Sequence, residues 1–149
     1  MFESLLVVVA LLNFSGDDFQ RSNSKIQRRP AVKEVGDIGG YYICRGEEAS
    51  GKRYSGITTI VRRGDVYLVT WAMGTGPSFG GIGIRKGDML AVSWAISTEK
   101  GIMKGVNFYK IDPGPTGPNL SGEWASMPGN GQMQSEILRF LSPLLAEDD

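Results

Sequence analysis

The chain has 149 residues, which favours one domain, and its sixteen basic and sixteen acidic residues cancel, excluding a nucleic-acid groove built on bulk positive charge. There is no histidine and one cysteine, Cys44, so a Cys–His nucleophile, a histidine base, an internal disulfide and a CxxC metal or redox site are all excluded. Glycine is the outlier, with 21 residues or about twice ordinary usage beside 41% hydrophobic content, the composition of a turn-rich all-β domain.

The first element is Leu5–Leu12, an unbroken apolar run extended by Phe2 and Phe14. It falls short of the ~20 apolar residues a membrane span needs and has the length of a secretory signal's apolar region. Glu3 stands where such signals carry a basic residue, and the nearest small-residue cleavage site is Ser15–Gly16. The basic residues come afterwards, at Arg21, Lys25, Arg28, Arg29 and Lys33. Three readings stay open: an export signal, a retained anchor or docking segment, and a buried strand. If the run is retained, Phe2, Leu5 and Leu12 contact a protein partner or the membrane through residues 2–14. The chain then divides into a leader (1–16), a polar linker holding Pro30 (17–36), a folded domain (37–142) and an acidic tail (143–149).

An internal repeat organises the domain. Gly64-Asp65-Val66-Tyr67-Leu68-Val69-Thr70-Trp71 returns 23 residues later as Gly87-Asp88-Met89-Leu90-Ala91-Val92-Ser93-Trp94. Gly117–Trp124 is a degraded third copy. Each copy is a turn followed by apolar alternation of period two, the signal of a half-buried strand. A second β-like run precedes each one: Tyr54–Val61, Phe79–Ile84 and Ile102–Ile111. The repeat unit is therefore a β-hairpin. Arg62-Arg63-Gly64 and Arg85-Lys86-Gly87 fit three-residue loops closing on a left-handed glycine. That register pairs Val61 with Asp65 and Ile84 with Asp88. It places Ile57, Thr59 and Val61 on one face with Tyr67, Val69 and Trp71, and Ile82 and Ile84 with Leu90, Val92 and Trp94.

Strands at Gly40–Arg45 and Gln134–Leu141 flank the hairpins, the last of which also suits a short helix. The count is eight antiparallel strands with short links. An up-and-down meander of that size is expected to close into an eight-stranded barrel, which removes exposed edges. Such an interior is either packed solid or holds one small ligand.

Candidate functional residues follow from this layout. Trp71, Trp94 and Trp124 occupy equivalent repeat positions and belong at one level of the barrel. With Tyr67 they line a ligand pocket if the interior is hollow and form a core plug if it is filled. Asp65 and Asp88 read as turn residues rather than an acid–base pair. Glu123, Glu136 and Arg139 read as a surface or rim charge cluster. The glycines of Gly80-Gly81-Ile82-Gly83 lack the Lys-Ser/Thr of a phosphate loop and make room for a large side chain opposite, Trp94 or Val92. Cys44 reads as a buried, inert thiol. Partner-contact candidates are the basic turn residues Arg62, Arg63, Arg85 and Lys86, and Pro113, Pro115 and Pro118 of a stiff loop. No catalytic residue, cofactor or metal ligand is assigned.

The spaced positions Gly39–Tyr41, Tyr54–Gly56, Gly64–Trp71, Gly81–Ile84, Gly87–Trp94, Tyr109–Ile111 and Leu120–Trp124 resemble a family of small, mostly exported bacterial β-barrel proteins often labelled "fibronectin-binding". More distantly the layout is similar to calycin barrels such as lipocalins and avidins. There Gly40-Tyr41-Tyr42 stands for the first-strand signature, and Arg139 would cover an aromatic ring at the base. The resemblance implies export to the periplasm or beyond, free or held to the membrane by the N-terminus. The leading expectation is a non-catalytic binding or accessory module with a protein partner and no nucleic acid. The alternative is a lipocalin-like carrier of a small apolar ligand, and interior volume discriminates the two.

Overall fold

The computed structural model describes residues 34–74 and 76–146. The chain divides into two units, Met1–Ala31 and Val32–Asp149. The first lies outside the described residues, and with it Phe2, Leu5, Leu12 and the leader. The second holds eight strands: β1 (Gly40–Glu47), β2 (Arg53–Arg63), β3 (Val66–Met73), β4 (Phe79–Lys86), β5 (Met89–Thr98), β6 (Gly101–Pro113), β7 (Pro118–Met127) and β8 (Gln134–Ser142). Each pairs antiparallel with its successor, and β8 pairs back onto β1, so the meander closes into a barrel with no free edge. Gln134–Ser142 is strand throughout and not a helix.

The turns differ from expectation by one residue. Arg63 pairs with Val66 and Lys86 with Met89, leaving two-residue turns at Gly64-Asp65 and Gly87-Asp88. Gly64 and Gly87 have φ of 60° and 59°. A left-handed glycine at the first turn position suits the tight primed turn that follows strand twist, and no third loop residue is needed.

That single residue reverses the faces of β2 and β4, because side chains alternate with a period of two. Thr58 and Ile60 point inward, opposite Trp71 and Val69. Ile57, Thr59 and Val61 point outward, opposite Ala72, Thr70 and Leu68. In β4 Gly81 and Gly83 face inward, opposite Trp94 and Val92, while Ile82 and Ile84 are 52% and 58% exposed. The expected grouping of Ile82 and Ile84 with Trp94 is thus overturned. The faces of β3 and β5 stand as expected, with Tyr67, Val69, Trp71, Leu90, Val92 and Trp94 all buried.

Size complementarity explains the inward glycines. A Cβ on Gly81 would lie 3.0 Å from both Trp94 Cβ and Val92 Cγ1, and one on Gly105 only 2.1 Å from the Trp94 ring. A small barrel accommodates bulky rings on one strand by leaving gaps on its neighbours.

Alternating turns give the barrel two ends. One carries the β2–β3, β4–β5 and β6–β7 connections and the entry of the chain into β1. Residues 34–39 close it. Ile38 is fully buried, and Tyr42 Oη donates to its carbonyl at 2.6 Å. Arg85 Nη2 donates to the Val35 carbonyl at 2.6 Å and Nη1 to the Gly36 carbonyl. Tyr67 Oη donates to Asp37 Oδ1 at 3.2 Å. Part of the expected linker is therefore packed on the barrel.

Candidate functional site

Among the described residues the other end is left open. A cavity of about 230 Å³ opens there, lined by Tyr54, Trp71, Met73, Phe79, Trp94, Ile96, Met103, Asn107 and Trp124, with Glu136 buried in its wall and Glu48 in the adjoining loop. The inward positions of β2, β3, β4, β5 and β7 each contribute one aromatic ring near this end.

The five rings form a connected chain. Trp71 stacks on Phe79 with centroids 5.2 Å apart and planes 12° apart. Phe79 meets Trp94 at 5.4 Å, Trp94 meets Trp124 at 6.3 Å, and Trp124 meets Tyr54 at 6.4 Å. These separations fit tilted and edge-to-face packing, which the ring quadrupoles favour.

Both ends of the ring chain reach Glu136, which is 4% exposed. Tyr54 Oη donates to Oε2 at 2.7 Å. Oε1 accepts from Trp71 Nε1 at 3.2 Å, from Asn107 Nδ2 at 3.2 Å and from the Tyr109 hydroxyl. Asn107 is itself held by Trp94 Nε1, which donates to its Oδ1 at 2.7 Å. Every neighbour presents a donor, the complement of a carboxylate that only accepts. Burial, and then the charge of Glu136, push the Tyr54 and Tyr109 phenols well above their ordinary range. They stay protonated, as donors must. The same two causes push the Cys44 thiol up, which suits its reading as an inert, buried group. Trp124 Nε1 is buried without a hydrogen-bond partner.

Trp71 and Trp94 are 1% and 8% exposed, and Trp124 is half-buried; all three line the cavity, as their shared repeat position implies. Tyr67 does not, because it lies at the closed end on Asp37. Glu136 is not part of a surface cluster: it points inward, whereas Glu123 and Arg139 are exposed. Arg139 therefore covers no interior ring. The contact candidates Arg62, Arg63, Lys86, Pro113, Pro115 and Pro118 lie with Arg85 at the closed end, opposite the cavity. Among them Arg85 is spent on the residues that close the barrel. Asp65 and Asp88 are exposed turn residues. Among the described residues no three His, Cys, Asp or Glu side chains gather as a metal centre would need.

Sequence reasoning missed Tyr54, Phe79, Asn107 and Glu136. Phe79 was hidden by the reversed face of β4. For Glu136 a signal exists, since it alternates with Leu138 and Phe140. The outward Ile137 and Leu141 mask it by making both faces of β8 apolar.

Known proteins agree on the fold alone. No protein-family model matches the chain, and no curated protein matches it. Among solved structures it is similar to a redesigned β barrel. The TM-score is 0.56 at 15% identity, over 70% of this chain and 92% of that one. The chain has a β-barrel fold.

Proposed function

We propose that the barrel binds a small, largely apolar molecule through its open end, as a lipocalin-like carrier or receptor module. The supporting observation is the cavity. At about 230 Å³ it is roughly one and a half times the ~150 Å³ apolar cavity that takes benzene, room for a ligand of on the order of ten heavy atoms. Its aromatic walls with few polar groups suit such a ligand. Of the two functions weighed from the sequence, a hollow interior favours the carrier over a module working through its surface alone.

The binding test is tryptophan fluorescence titration with a small neutral apolar dye such as 1-aminonaphthalene. Saturable one-to-one quenching is expected, and the cavity-filling substitution Met103→Trp should abolish it. Dye binding that is non-saturable, or unchanged in M103W, rejects the reading.

Location outside the cytoplasmic membrane belongs to the same proposal and rests on the leader and on the family resemblance. N-terminal sequencing of the protein from fractionated native cells tests it. A mature start near residues 16–20 in an external or periplasmic fraction supports cleavage. Full-length protein in the membrane fraction supports an anchor, and full-length soluble cytoplasmic protein rejects both.

A further inference from the structure

The cavity is lined chiefly by aromatic rings. Five of them border one small space, and the thioethers of Met73 and Met103 add polarizable sulfur. Among the described residues its two charged lining groups, Glu48 and Glu136, are both acidic, and no lysine or arginine lines it. Among the described residues the only ion pair is Lys110–Asp112, on the surface, so Glu136 is surrounded by neutral donors alone. An isolated buried charge is costly unless an opposite charge or dense hydrogen bonding offsets it.

The hydrogen bonds of Glu136 are unevenly shared. Oε1 accepts from three donors, while Oε2 accepts from Tyr54 alone. A carboxylate oxygen carries two lone-pair sites, so Oε2 keeps acceptor capacity and Oε1 does not. The charge therefore lies behind a ring of aromatic faces and edges, with one oxygen able to receive another positive group.

We propose that this cavity takes an organic cation, an alkylated ammonium head on a small apolar body, held by the aromatic cage and by the charge of Glu136. The proposal rests on the cavity being a ligand site and adds its chemical class. Cation–π attraction to Trp, Tyr and Phe acts within about 6 Å of a ring centroid and strengthens on desolvation. The alternatives fit less well. A bare Ca²⁺ or Mg²⁺ demands six or more oxygen ligands, and the lining offers two carboxylates, one buried and one in an exposed loop. A primary ammonium brings three N–H donors, more than the remaining acceptor capacity of Oε2 satisfies. An alkylated head has few or no N–H groups and turns its methyls toward the rings. Glu48, in the exposed loop after β1, adds attraction at the entrance.

The test compares benzyltrimethylammonium with its uncharged carbon isostere, neopentylbenzene, by fluorescence titration of the full chain. The two differ in charge and hardly in shape. The cation is expected to bind at least about tenfold more tightly. Glu136→Gln should weaken the cation by about tenfold or more and leave the isostere within about twofold, since volume is kept and charge is lost. Near-UV circular dichroism establishes that E136Q is folded. If it is not, Phe79→Leu carries the test: it removes one ring, keeps apolar volume, and should weaken the cation severalfold more than the isostere. Equal affinity for the two ligands, or cation binding indifferent to both substitutions, overturns the charge recognition and leaves the apolar carrier standing. Failure of both ligands and of the neutral dye overturns the ligand site itself.

Discussion

The two ends of this barrel are built from the same repeat and solve opposite problems. At the closed end, inward Tyr42 and Tyr67 spend their hydroxyls on Ile38 and Asp37, residues of the chain's own entry segment. At the open end the hydroxyls of Tyr54 and Tyr109 and the indole N–H of Trp71 go to one buried carboxylate, and among the described residues no backbone segment fills the space between. Arg62 and Arg85 show the contrast within the repeat. Both donate Nε to the carbonyl of the glycine two residues on, Gly64 and Gly87, at 3.0 and 2.7 Å. Only Arg85 also grips the entry segment through its Nη atoms. Among the described residues, one end is filled by the chain's own entry segment and the other is not.

The comparison can be broken most severely from the open side. Trp71→Ala removes a fully buried ring that stacks on Phe79 and bonds Glu136. Denaturant unfolding should show a loss of about 3–5 kcal/mol, with dye binding lost or reshaped as well. A stable variant with unaltered binding would mean that the cage is not a unit.

Alkaline pH strains both ends together. Burial is the chief cause that raises the Tyr42, Tyr54 and Tyr109 phenols. For these groups the folded pKa exceeds the unfolded value of about 10. Their contribution is fully present below that value and is lost as pH rises above it, because only the unfolded chain can then ionise. Stability should fall steeply above about pH 10, and the tyrosinate absorbance of these three should appear together with unfolding. Independent, non-cooperative titration of these three before any loss of structure would contradict their burial.

Smaller changes separate the ends. Gly64→Val forces a β-branched residue to φ near 60°, at a cost of about 1–2 kcal/mol, and should leave binding at the far end unchanged. Arg85→Ala should cost about 1 kcal/mol and raise hydrogen exchange in residues 34–39, while Arg62→Ala stays within about 0.5 kcal/mol. Equal effects of the two arginine substitutions would show that the entry segment closes the barrel without Arg85.

Much of this architecture is legible in the residues, because a repeat multiplies weak signals. The G-D-x-Φ-x-V-[TS]-W pattern marks a glycine turn and an alternating strand twice, and the equivalence of Trp71 and Trp94 places both rings inside at one level. The left-handed glycines and the inward faces of β3 and β5 follow from the same pattern. The faces of β2, β4 and β8 were less legible. Ile57, Ile82, Ile84, Ile137 and Leu141 give those strands apolar side chains that turn out to face solvent, so alternation there fits two registers equally well.

Local chemistry thus determined that the chain makes hairpins, that three hairpins and two flanking strands form an all-β meander, and that three tryptophans share a position. Which face of β2 and β4 looks inward was decided by closure. Once the barrel is shut, Trp94 needs the space that Gly81 and Gly105 leave, and only one register supplies it. The site was decided the same way. Tyr54, Asn107, Tyr109 and Glu136 lie on β2, β6 and β8, far apart along the chain. A buried carboxylate becomes tolerable only when closure brings their donors around it.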